Sequence, residues 1–83
     1  MDLKTITKHV RDAEKMLARL NDPDGISDPS ERRDTLTRAM SSRSRAEAQA
    51  ESATIRSDDQ ALIRELILRH CEELEQQLLG VEL

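Results

Sequence analysis

The chain has 83 residues, carries 36% charged side chains and a net charge of -4, and contains no Phe, Tyr or Trp. That length bounds it at one domain. The acidic balance argues against general attraction to nucleic acid or anionic lipid. Leu, Ile and Val together number 18 and alanine adds 8 more, so the material for a core is thin. A chain this short buries only around 60% of the surface its unfolded form exposes, which leads us to expect a protein partner or self-association to supply the missing burial.

The first element is plain. Leu3, Ile6, Val10, Ala13, Leu17 and Leu20 follow a 3, 4, 3, 4, 3 spacing, the a/d seam of a heptad repeat. Asp2 is placed to cap its start, and Asn21, Asp22 and Pro23 stop it. A helix over about 3-20 is predicted. Lys4, Lys8 and Arg11 are spread through this segment without an apolar run, so no secretory leader is expected. No stretch approaches the ~20 apolar residues of a membrane span, and a single cysteine, Cys71, excludes an internal disulfide. A reducing cytoplasm is the default location.

Residues 21-31, NDPDGISDPSE, gather both prolines and one of the two glycines. Setting Gly25 at the glycine position of a calcium-loop template brings Asp22, Asp24, Asp28 and Glu31 onto ligand positions. The first ligand position then falls on Leu20, which belongs to the helical seam, and Pro23 and Pro29 stiffen the loop. The turn reading accounts for every residue: 21-28 turn the chain, and Asp28-Pro29-Ser30-Glu31 begin a second helix with an N-cap, a first-turn proline and a capping acid. We therefore expect no metal and no other cofactor.

The next glycine after Gly25 is Gly80. Ser57-Asp58-Asp59-Gln60 reads as a second capping box, yet a 3.5-residue frame through Leu36, Ala39, Ala46, Ala50 and Ala53 continues in register to Ile67, Cys71, Leu74, Leu78 and Val81. On that phase argument the fold expected is all-α, a helical hairpin whose long second helix runs continuously over about 29-79, at most kinked near 57, packed in coiled-coil fashion; a break near 57 that makes a three-helix bundle is the alternative. Its middle, AEAQAESA (46-53), is either a tight groove for another helix or a weakly held solvated stretch. Its last third carries aliphatics on more than one stripe, more than the narrow seam of the first helix covers.

Catalytic patterns are lacking. There is no phosphate loop and no nucleophile elbow. Cys71 lies on the apolar stripe next to His70 and far in sequence from His9, which suits a small core residue better than a nucleophile. Adjacent acids such as Asp58-Asp59 and Glu72-Glu73 do not face each other on a helix. We expect a non-enzymatic interaction module, an adaptor, small chaperone or inhibitor. It would bind a helical partner or itself through Leu62, Ile63, Leu66, Ile67, Cys71, Leu74 and Leu78. Arg32, Arg33, Arg38, Arg43 and Arg45 would supply secondary polar contacts. These arginines also carry the alternative of a dimeric nucleic-acid-binding regulator, which the net charge and the absence of stacking aromatics oppose.

A short first helix, the turn ISDPSE and a longer second helix are similar in outline to the small helical-hairpin proteins of bacterial type III secretion systems, both co-chaperones and needle-type subunits. The resemblance spans the chain but is architectural; the aromatic and glutamine residues often found after that turn in needle subunits are absent here. It implies a protein that shields or assembles with a secretion-system subunit.

Overall fold

The computed structural model describes residues 3-82. Three helices pack together, and no strand occurs among the described residues: α1 is Leu3–Asn21, α2 is Pro29–Ser52 and α3 is Asp58–Leu79. The molecule is a rod of 45 × 17 × 17 Å. Arg43 of α2 reaches Glu75 of α3, and Arg32 at the start of α2 reaches the carbonyl of Glu82. Thus α2 and α3 run antiparallel. Glu14 of α1 meets His70 of α3, while Leu3 and Thr7 near the start of α1 share a cleft with Ile63 near the start of α3, so those two helices run side by side in the same direction.

The heptad seam of α1 folds as its spacing demands. Ile6, Val10, Ala13, Leu17 and Leu20 are all buried. Asp2, expected to cap this helix, lies outside the described residues. After α1 the chain turns through a Gly25 N–H to Asp22 carbonyl bond of 3.0 Å and an Asx-type bond of 3.0 Å from the Asp24 N–H to the Asp22 carboxylate. Ile26 then tucks in, buried.

Gly25 is required by space. A Cβ there would stand 2.3 Å from the Arg19 carbonyl oxygen, which is backbone and has no room to yield. Gly25→Ala should therefore destabilise the fold by about 1–3 kcal/mol, the cost of forced overpacking, read as a lower thermal midpoint with an unchanged helical spectrum at low temperature. Arg32 ties the same loop down, donating to the Ile26 carbonyl at 2.7 Å and to the Glu82 carbonyl at 2.9 Å.

The long second helix predicted over 29-79 is not formed. Residues 53-57 leave the helical path, with Ala53 extended (φ -66, ψ 140) and Ser57 extended (φ -154, ψ 163). Local capping explains the break. The Ser57 hydroxyl accepts from the Gln60 N–H at 3.1 Å, while the Gln60 side-chain oxygen accepts from the Arg56 N–H at 2.7 Å. These bonds satisfy amide donors that a helix start leaves open. The preceding Thr54 and Ile55 are β-branched and lose side-chain freedom in a helix. The uninterrupted frame was a true statement about faces and a misleading one about continuity. Ala39, Ala46 and Ala50 are buried, and so are Cys71, Leu74 and Leu78, because both helices turn their seams to one core from opposite chain directions. With three helices in place of two, the chain does not share the hairpin outline on which the secretion-system resemblance rests.

Asp28 occupies the N-cap position of α2, but its side chain makes no capping bond. Pro29 supplies the preset backbone angle at the helix start.

Candidate functional site

On α3, Cys71, Leu74 and Leu78 are buried at 0–1% exposure, and they pack with Val10, Ala13, Leu17, Ala39, Ala46 and Ala50. These three belonged to the expected docking set. They are instead the α3 share of the core, because α2 as well as α1 covers that stripe. Ile67 is half-buried beside them. The remaining members point outward: Leu62 is 56% exposed, Ile63 42% and Leu66 53%. Leu62 stands nine residues before Cys71, and at ~100° per residue that is the opposite side of the helix. Leu79, not among the expected contacts, is also exposed at the other end of α3.

Ile63 and Leu66 border a groove of about 360 Å³ between α1 and α3, completed by Val10 and Ile67. Arg11, Glu14 and His70 stand at its rim. Glu14 and His70 meet in a hydrogen bond that bridges the two helices, and the other imidazole nitrogen lies 3.8 Å from Glu73. The groove continues past Thr7 toward Leu3 and Lys4. A second groove, about 390 Å³, lies between α2 and α3, where Leu79 meets Met40, Arg43 and Glu75. Val10 and Glu14 could not be assigned to the first groove from sequence, since their partners on α3 lie more than fifty positions away; the exposure of Leu62, by contrast, is implied by its spacing from Cys71.

The five arginines of 32-45 do not form one surface. Arg32 is held by two carbonyls, and Arg43 pairs with Glu47 and lies 3.7 Å from Glu75 with its side chain 13% exposed. Arg33, Arg38 and Arg45 remain exposed. The nucleic-acid alternative thus loses two of its cations to intramolecular bonds, and Glu31 and Asp34 line the same surface cleft as Arg38.

The acids of the turn are likewise engaged locally. Asp22 accepts from the Asp24 backbone, and among the described residues no group of three or more His, Cys, Asp or Glu side chains is arranged to hold a metal ion. Cys71 is fully buried and its Sγ is directed to the Arg43 carbonyl at 3.9 Å. Burial pushes its thiol pKa up, against the weaker opposing pull of the Arg43 charge. A protonated, enclosed thiol is a poor nucleophile. Among the described residues no helix is long and apolar enough to cross a membrane.

No family model, curated protein or solved structure matches the chain.

What the geometry offers is therefore a surface. Three large aliphatics stand in contact with solvent along two turns of one helix, beside an apolar groove edged by charges of both signs. Covering the roughly half of each such side chain that still meets water gains about 0.7–1.5 kcal/mol.

Proposed function

We propose that the chain is a non-enzymatic protein–protein interaction module. It receives a helix along the α1/α3 groove, with Leu62, Ile63 and Leu66 as the apolar anchors and Arg11, Glu14 and His70 orienting the incoming chain. The observation that carries this reading is the joint exposure of Leu62, Ile63 and Leu66 next to a preformed groove. Contiguous apolar surface of this kind on a small chain marks a contact site, and a helix laid into a groove is a recurrent way to cover it. The charged rim adds selectivity of partner and direction more than affinity.

Site-directed photo-crosslinking tests this. A photoreactive side chain is placed at position 62 or 66 of the full chain, and at position 33 on the exposed face of α2 as a reference. Protein adducts concentrated at 62 and 66 are the expected result. Equal yields at position 33, or no adducts at 62 and 66, would remove the assignment.

A further inference from the structure

We propose that the partner is a second copy of the chain, its α3 lying antiparallel over the exposed Leu62 and Leu66 face beside the α1/α3 groove, about a twofold axis that passes between these two residues; Leu66 borders both the groove and this face. This rests on the interaction reading above and names its partner.

The outward face of α3 carries a second seam. Asp59, Leu62, Leu66 and Arg69 are spaced 3, 4, 3, so they share one side of the helix. That spacing is symmetric about its midpoint, and the chemistry on it is not. Reversing the helix about that midpoint brings Leu62 against Leu66 of the other copy, and Asp59 against Arg69. Each pairing occurs twice, as an isologous contact requires. Parallel packing in register would oppose Asp59 to Asp59 and Arg69 to Arg69. Moving the axis to Leu66 would oppose Asp59 to Glu73. Of these three arrangements, only the antiparallel one centred between the leucines satisfies both the apolar and the charged positions.

The charges are free for this use. Among the described residues Asp59 and Arg69 make no salt bridge, although Glu65 and Glu73 stand one turn to either side of Arg69.

The exposed area fits as well. The chain exposes 5798 Å², about 800 Å² more than the ~5,000 Å² usual for a folded monomer of its 9.4 kDa mass. A standard protein–protein interface removes about 800 Å² from each partner. Two rods laid side by side along α3 bury the long flank that a single rod leaves in water.

The test is the mass of the full chain in solution as a function of concentration, by sedimentation equilibrium or light scattering. A reversible rise to the mass of two chains is expected. Leu62→Glu with Leu66→Glu should hold the chain at single mass throughout; both side chains are more than half exposed, so circular dichroism should show the helices intact. Asp59→Arg and Arg69→Asp should each weaken association about five-fold, two surface ion pairs being lost at once. The two together should restore it. A single-chain mass at every concentration, a dimer indifferent to the leucine changes, or a double charge exchange no better than either single one would each overturn the second-copy assignment. If a single-chain mass is found while crosslinks at 62 and 66 capture a different protein, this inference fails and the interaction reading stands. A single-chain mass with no crosslinks removes both.

Discussion

Leu74→Ala should cost this protein about 2–5 kcal/mol of folding stability, the range for emptying a packed leucine site. Leu74 is 1% exposed and belongs to a core cluster built of aliphatics, alanines and one cysteine. At ~0.05–0.15 kcal/mol per residue a chain of this length has about 4–12 kcal/mol in all, and without aromatics the lower part of that range is the relevant one. The substitution should therefore lower the thermal midpoint by roughly 8–40 °C, at about 4–8 °C per kcal/mol for a domain this small. Leu62→Ala is the paired measurement. Leu62 sits on the same helix, is 56% exposed, and should change the folding stability of a single chain by no more than ~0.5 kcal/mol. Thermal circular dichroism at a concentration low enough to suppress association compares the two. Equal losses would mean that α3 does not present its Leu74 side to the core.

Ala46→Leu should be nearly as damaging, by a different route. Ala46 is fully buried, as are Ala39 and Ala50, and the small side chains of AEAQAESA let the other helices approach α2 closely. A leucine there has no vacant space to enter, so the helices must separate or the side chain must leave its preferred rotamer, a cost of about 1–3 kcal/mol or more. Ala48→Leu is the control, since Ala48 faces solvent. Leucine and alanine have similar intrinsic helix propensity, so Ala48→Leu should leave the midpoint nearly unchanged. A difference between the two substitutions isolates packing from propensity. Should both be tolerated equally, the alanines are not a helix-packing surface and the stretch is the weakly held alternative.

The same residues divide what was legible beforehand from what was not. Periodicity is a local property: a 3, 4 spacing puts side chains on one face of a helix whatever that helix later packs against. So the seam of α1, and the facts that Ala39, Ala46 and Ala50 share a face and that Cys71, Leu74 and Leu78 share another, could be read from the sequence; that the last two faces are buried in the chain's own core could not. Capping is local too, and Ser57 with Gln60 announced a helix start that the in-register frame across it obscured. Phase cannot report continuity, because helices on either side of a reversal present the same seam to a shared core.

The identity of what covers each face is a long-range matter. The sequence alone determined that the chain is helical, where α1 lies and which residues share a face. Only the tertiary arrangement decided that α2 and α1 together cover the Leu74 stripe while Leu62, Ile63 and Leu66 stay in water. It also decided that Arg32 and Arg43 are spent on internal bonds and that Glu14 meets His70. Those outcomes depend on which helices become neighbours, and that is set by the reversals at 22-28 and 53-57 together with the close approach that small residues allow, not by the spacing of residues within any one helix.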